Sequence, residues 1–527
     1  MATICVILGR GRHAALIQEW KDAADAGAQL VELRLDCLRR DIDLKRILAN
    51  RYSPCVVTIR RGRDGGIWRQ DEERRQRLLR EAIVMGVDYV DIEADIAKEI
   101  RRFGKVKRII SYHNFKETPK ELPDIIQKMA TLDADIVKVA TIATSIQDAA
   151  FVLKTASEAP VPTIAIAMGE VGFFTRILGA KYGAPLTYAS FNPDRSFAPG
   201  LPNFRDLKRD YRFEKIDSAT EVYGVIGDPV AQSLSPMVHN AIFEHYGQNK
   251  VYVPFKVAEG KLPTFFESLD FLKLKGLSVT IPHKEAIRQH LDEEDDIVET
   301  TGSCNTVEIR PDGTRVGHNT DYPAVIETLE DALGGRPNPA LSPLEGKQAL
   351  LVGAGGVARS IAYALTRHGA GVTIVARNDE KSKALAEEVG CKFVPWTMRA
   401  STLSDILINA TPVGMHPEVN ETPLPPAAFR ENILVFDTVY HPENTLFLKL
   451  GREHNCKIAT GVEMFVRQAA RQARFFAGVE NPPLEVIRGL VRRKFSPLQH
   501  DVDPELLEAR DEPQVTDPDL DAEDQEH

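Results

Sequence analysis

The sequence predicts an α/β chain of two units: an N-terminal (β/α)8 barrel, then a two-domain unit whose second domain is doubly wound. Three observations predict it. Eight strand-like runs alternate with helically spaced segments in the first 212 residues. Residues 213–220 are short and polar, as a linker is. Gln348–Val352 reads as a strand, and a glycine turn and a helical pattern follow it.

The eight runs are Thr3–Leu8, Gln29–Asp36, Cys55–Arg60, Tyr89–Ala94, Arg108–His113, Asp135–Thr141, Thr163–Met168 and Leu186–Phe191. Between them Asp71–Met85 carries an apolar stripe of Leu78, Leu79, Ala82, Ile83 and Met85 among Arg and Glu, the spacing of an amphipathic helix. An open doubly wound sheet is the rival arrangement for this half. A barrel places chemistry at the C-terminal ends of its strands, and polar residues gather there. Glu32, Arg34 and Asp36 alternate on the second run, so they share a face. Arg60 ends the third, before Asp64-Gly65-Gly66; Asp91 and Glu93 lie on the fourth; His113 ends the fifth. Lys138 sits inside the sixth between Val137 and Val139, and Arg176 follows the seventh. A lone strand lysine is usually a snorkelling surface residue. In this company a desolvated lysine beside other cations is a candidate amine nucleophile.

Bulk composition excludes several classes. The 527 residues hold no apolar run long enough to span a bilayer, and Met1–Arg10 patterns as a strand, not a signal peptide. The six cysteines are scattered without a CxxC pair, which predicts free thiols, a cytoplasmic setting and no metal site. The net charge of −10 belongs to the tail: residues 501–527 hold twelve acids and one base, leaving 65 bases against 64 acids elsewhere. That tail is expected to be disordered, and nothing predicts nucleic-acid or membrane partners. Oligomeric state is not legible.

The motifs VELRLD, TIR before a glycine pair, SYHNF, ADIVKVAT, MGEVGFFTRILG and FAPG occur in that order. Residues 1–212 therefore resemble type I 3-dehydroquinate dehydratases. The resemblance implies that Lys138 forms an imine with the C3 ketone of 3-dehydroquinate, and that His113 is the general acid/base. It implies that Glu32, Arg34, Arg60, Asp64 and Arg176 hold the substrate. Two departures stand out. The family's lid loop usually reads Ser-Ala-Pro-Gly-Gln; here it is Phe197-Ala198-Pro199-Gly200-Leu201, so two polar contacts become apolar. Asp64 stands where a glutamate is usual.

The second unit opens with Glu221–Ile226 and a polar turn ending Ser233-Leu234-Ser235-Pro236. Ser235 before Pro236 predicts an N-cap for a helix over Met237–Tyr246, whereas Ser233 has no capping role to explain it. After Thr280 and Pro282, Lys284 is placed at the start of a helix Glu285–His290, where a cation is unfavourable and asks for a reason. Gly353-Ala354-Gly355-Gly356-Val357-Ala358 follows the strand Gln348–Val352 and opens a helix Arg359–His368, the phosphate turn of a Rossmann-type domain. The next strand, Val372–Ala376, ends in Arg377 with Lys381 one turn on. Cations at that position suit a 2′-phosphate, hence NADP.

With GDPVAQSLSP, VTIPHK, GSCNTV, NTDY, GAGGVARS, INATPVGMHP, DTVYHPENTLFL and GVEMFVRQAARQ in order, residues 221–495 resemble shikimate dehydrogenases. The resemblance implies Lys284 and Asp321 as the catalytic pair. It implies Ser233, Ser235, Thr280, Asn305, Asp321, Tyr440 and Gln468 as substrate contacts, with Val439, Tyr440 and Gly461 near the nicotinamide. It also implies a substrate domain over 221–325 completed by 461–495, an inserted NADP domain over 326–460, and a tail from 496. The expected whole is a bifunctional enzyme acting on 3-dehydroquinate and then 3-dehydroshikimate. The alternatives are a quinate dehydrogenase in the second unit, or a weakened, sensor-like first unit.

Overall fold

The computed structural model describes residues 2–495 apart from Pro193, Asp194, Ser196, Pro337, Pro339 and Ala340; the tail expected at 496–527 lies outside the described residues. The first sheet is β1 (Thr3–Leu8), β2 (Leu30–Arg34), β3 (Cys55–Thr58), β4 (Tyr89–Glu93), β5 (Lys107–Asn114), β6 (Ile136–Ile142), β7 (Thr163–Met168) and β8 (Leu186–Ser190). Its order is β7-β6-β5-β4-β3-β2-β1-β8. Thr3 pairs with Leu186, in parallel, so the sheet curls into a nearly closed barrel and the open-sheet alternative falls. Most strand positions are buried on both faces, because helices cover the outside and side chains fill the inside.

The second sheet joins β9 (Glu221–Gly227), β10 (Lys250–Lys256), β11 (Gly276–Val279), β12 (Glu293–Glu294), β13 (Thr306–Ile309) and β14 (Arg315–His318) in the order β10-β9-β11-β13-β14-β12. The third sheet is parallel: β15 (Gln348–Val352), β16 (Gly371–Val375), β17 (Lys392–Phe393), β18 (Ile406–Asn409), β19 (Leu434–Asp437) and β20 (Lys457–Ala459). Its order, β17-β16-β15-β18-β19-β20, reverses direction beside β15, so a crevice opens at the glycine turn. Helix Gly461–Ala477 returns to pack its apolar stripe, including Val462, Val466, Ala469 and Phe476, with residues of the second sheet and of helix Ser235–His245.

The junction is more than a polar linker. Phe213 and Ile216 are buried, and Lys181 Nζ donates to the carbonyls of Ser218 and Thr220 at 2.8 Å each. One apolar core runs from the barrel into the second unit. Phe174 meets Phe255 at 5.1 Å between ring centroids, and Tyr182 meets Phe271 at 5.7 Å. Beside the barrel mouth Lys256 Nζ binds Glu170 Oε2 at 2.5 Å. Among the described residues no helix is long and apolar enough to cross a membrane.

Two candidate active sites

The barrel mouth holds one pocket, lined among others by Glu32, Arg34, Arg60, Asp64, His113, Lys138, Arg176, Tyr188, Phe197 and Leu201. All seven polar residues expected from the sequence therefore come together. Lys138 is buried, and the strand alternation that hides Val137 and Val139 on the outside turns its amine inward. The expected cationic surroundings need correcting: its nearest partners are anions. Nζ donates to Asp91 Oδ2 at 3.0 Å, lies 3.6 Å from Glu32 Oε1, and sits 3.9 Å from the ring centroid of Tyr188.

Asp91, noticed on its strand but given no role, is central. It also takes Arg60 at 2.7 Å and the Ser111 hydroxyl at 2.6 Å. Burial pushes its pKa up, but Arg60 and Lys138 outweigh that and hold it well below the usual carboxylate range. Arg60 is further bound to Glu93 at 3.1 Å, so its guanidinium is largely spent on buried carboxylates. Arg34 is clamped by Asp36 through two bonds of 3.0 and 2.9 Å, and lies 5.5 Å from the centroid of Phe197. A Cβ on Gly9 would come within 2.6 Å of that ring, so the lid phenylalanine fits only because position 9 is bare. Asp64 accepts from Arg61 Nε at 2.7 Å.

Three side chains in this pocket carry a buried polar atom without a hydrogen-bond partner among the described residues: Arg176, His113 and Tyr188. Arg176 is buried with its Nε unbonded; its one bond runs to the Pro199 carbonyl at 3.2 Å, and no carboxylate pairs with it among the described residues. Burial draws its pKa down to about 10. His113 has an unbonded Nδ1, and burial, Arg60 and Lys138 hold its pKa well below 6.5, so the imidazole is neutral at neutral pH.

In the second unit Lys284 Nζ donates to Asp321 Oδ2 at 2.6 Å. Lys284 does not begin an α-helix, since 286–290 is a 3-10 turn; Asp321, first residue of helix Asp321–Ala332, supplies its reason for being there. The expected cap at Ser235 needs correcting: Leu234 is the N-cap residue of helix Ser235–His245, and no side-chain hydrogen bond caps it. Helix Ser235–His245 includes Ser235, and Ser233 Oγ accepts the Ser235 amide at 3.3 Å. Asn305 braces the loop before Asp321, accepting the Thr320 amide at 2.8 Å and donating to its hydroxyl at 2.9 Å. Thr280 follows β11, its amide bonded to the Ile226 carbonyl. Gln468 lies one helical turn before Gln472, on the same face. Sequence reasoning passed over Gln472, which is buried and joins Ser278 at 2.8 Å to the Asn305 carbonyl at 3.1 Å. Its signal was there: the second glutamine of a four-residue repeat.

Gly353 has φ of +129°, and a Cβ there would meet the Ala410 carbonyl oxygen at 2.6 Å. Helix Gly356–Arg367 starts three residues earlier than expected, with Gly355 as its cap, so the amides of 356–358 form its open N-terminus. Ala354, Val357 and Ala358 pack against the domain core. A Cβ on Gly356 would lie 3.0 Å from Lys284, which puts the glycine turn beside the Lys284–Asp321 pair. Arg377 and Lys381 are exposed and without carboxylate partners among the described residues. Val439, Tyr440 and Gly461 converge: a Cβ on Gly461 would be 2.4 Å from the Val439 carbonyl oxygen, and Tyr440 packs on Phe465 at 5.0 Å.

Three family models match in order: type I 3-dehydroquinase over residues 4–218, the shikimate dehydrogenase substrate binding domain over 225–307, and shikimate / quinate 5-dehydrogenase over 338–432. The bifunctional 3-dehydroquinate dehydratase/shikimate dehydrogenase of Arabidopsis thaliana, a chloroplastic protein, is 38% identical over 89% of this chain and 80% of its own. The shikimate biosynthesis protein AroDE of Chlamydia pneumoniae is 30% identical over 84% of this chain and 89% of its own. The shikimate dehydrogenase (NADP(+)) of Caldanaerobacter subterraneus subsp. tengcongensis is 39% identical over 49% of this chain and 91% of its own. The two residue clusters, in this order along one chain, and the matches spanning both lead to one assignment: the chain belongs to the bifunctional 3-dehydroquinate dehydratase/shikimate dehydrogenases, a lyase and an oxidoreductase joined.

Proposed function

We propose that the barrel dehydrates 3-dehydroquinate through an imine on Lys138, and that the second unit reduces 3-dehydroshikimate to shikimate with NADPH at Lys284 and Asp321. The observation that carries the first half is one pocket holding an inward lysine, a neutral histidine and an arginine without a counter-ion. Lys138 attacks the C3 ketone; an Nζ–carbon bond forms and the carbonyl oxygen leaves as water. The cationic imine draws electrons from the neighbouring carbon, so neutral His113 can take the C2 proton; that proton leaves with the C1 hydroxyl as a second water, and one water then hydrolyses the imine, releasing 3-dehydroshikimate and restoring the Lys138 amine. Arg176 takes the substrate carboxylate, and Glu32, Arg34, Arg60 and Asp64 surround the hydroxyls.

In the second unit the bare glycine turn and helix N-terminus fit a pyrophosphate, and the free pair Arg377 and Lys381 fits a 2′-phosphate. Gly353, Ala354, Gly355, Gly356, Val357 and Ala358 would hold NADP there, with Val439 and Gly461 beside the nicotinamide. The cofactor, bound in its reduced form as NADPH, would supply the hydride. Lys284 donates a proton to the C3 oxygen, and Asp321 orients its amine. Ser233, Ser235, Thr280, Asn305, Tyr440 and Gln468 fix the carboxylate and hydroxyls. The working units on this reading are 1–212, the junction 213–220, 221–325 completed by 461–495, and 326–460. Six unpaired thiols suit a reducing compartment such as the cytoplasm.

Borohydride added to the full chain with 3-dehydroquinate tests the barrel. A mass gain on the Lys138 peptide with loss of dehydration is expected; dehydration that survives without that adduct overturns the reading. Rates with shikimate or quinate, each with NADP or NAD, test the second unit, and a preference for quinate or NAD would overturn it.

A further inference from the structure

A side chain outside the expected set lies against the reacting nitrogen. Tyr188, on β8, is 2% exposed, and its ring faces Lys138 Nζ at 3.9 Å from the centroid. Its hydroxyl is buried without a hydrogen-bond partner, so hydrogen bonding does not explain a tyrosine's presence here. The remaining partners of Nζ are Asp91 at 3.0 Å and Glu32 at 3.6 Å.

These partners differ in what they need from the nitrogen. An ammonium carries three N–H donors and a protonated imine carries one. In the overall step the ammonium and the ketone give the protonated imine and water: the Nζ–carbon bond forms, the carbon–oxygen bond breaks, and two N–H protons leave with the oxygen. Charge is conserved while two donors vanish. Asp91 holds the hydrogen bond to Nζ and Glu32 only an ion-pair contact, and the single remaining N–H can point at no more than one of them. A ring face asks for charge, not for a proton, so its attraction survives the conversion.

We propose that the Tyr188 ring face is the catalytic partner that stabilises the positive charge on the Lys138 nitrogen throughout the imine stage. This rests on the imine reading above, and the two can fail separately. The test is a graded series at position 188 in the full chain: Tyr188→Phe, then phenylalanines of increasing ring fluorination placed at the same position, then Tyr188→Leu. Fluorination drains the ring face of negative potential with little change of shape. The readout is the yield of borohydride-trapped adduct and kcat for dehydration. The same chain's shikimate oxidation reports folding.

Tyr188→Phe should keep both readouts within about threefold, since the ring remains. Trapped adduct and kcat should then fall stepwise with fluorination, to about tenfold below wild type, with shikimate oxidation unchanged. Equal adduct across the fluorinated series overturns the ring's role while leaving the imine standing. Loss of activity in Tyr188→Phe matching that in Tyr188→Leu also overturns it, by pointing to the hydroxyl. Absence of any adduct in the wild type removes the imine reading itself.

Discussion

The two units each carry a lysine that we propose as reactive, and the settings are unlike. Lys138 is enclosed in a barrel by two carboxylates and an aromatic face. Lys284 sits between two domains with Asp321 as its one salt-bridge partner among the described residues, beside a backbone turn shaped for a phosphate. A lysine that becomes covalently bonded must hold its charge through a change of valence, so it needs several supports. A lysine that only passes a proton needs one anchor and an open side. The difference teaches that burial and partner number, not residue type, separate the two chemistries.

That contrast can be broken by substitutions scored on both activities. Lys138→Ala should cost the largest factor, about 10⁴-fold or more in dehydration kcat, because no neighbouring group can replace a nucleophile. Shikimate oxidation should be unchanged, and a matching loss there would mean that the sites are not independent. Lys284→Met should lower shikimate oxidation by about 10²–10⁴-fold, the range of a general acid/base, and leave dehydration intact. Steady-state rates of both reactions for both variants settle the comparison.

A smaller effect belongs to the lid. Phe197 and Leu201 present carbon where polar contacts to substrate are expected, and Phe197 leans on Arg34. Phe197→Ser with Leu201→Gln should improve kcat/KM for 3-dehydroquinate by on the order of 1–3 kcal/mol, chiefly through KM. An unchanged KM would show that the apolar lid is already suited to the substrate.

The smallest expected change is in pH dependence. Burial, Arg60 and Lys138 depress the pKa of His113, so the folded chain resists protonating it. The base form should persist on acidification, and the acid limb of dehydration should fall below pH 6.5. The sign for stability is opposite in use: the unfolded chain takes up that proton more readily, so this group weakens the fold as pH drops below the ordinary histidine range. A limb at or above the ordinary histidine value would contradict the neutral imidazole.

Much of this was legible in the sequence because strand alternation is strict. Thr3–Leu8 and Thr163–Met168 form as expected, and the other barrel strands end within two residues of their predicted limits. Placing alternate residues inward was enough to gather Glu32, Lys138 and His113 in one pocket. What stayed hidden were relations across the barrel. Asp91 meets Lys138 from two strands away, and the Tyr188 ring reaches it from β8; neither contact has a signature in local spacing. The serines show another limit, since a helix that starts two residues earlier takes Ser235 into its first turn and leaves Ser233 bonded to the Ser235 amide. For Lys284 the helix-terminus argument was wrong, yet the residue still found an anion, because Asp321 arrives at the start of a helix distant in sequence.

The apolar seam where Phe174 rests on Phe255 has a consequence for the history of such a chain. Severed at residue 217, each half would expose a greasy wall that its neighbour now covers. A protein cut there should melt at lower temperature and associate with itself, whereas halves that stay monomeric and equally heat-resistant would show the seam to be dispensable.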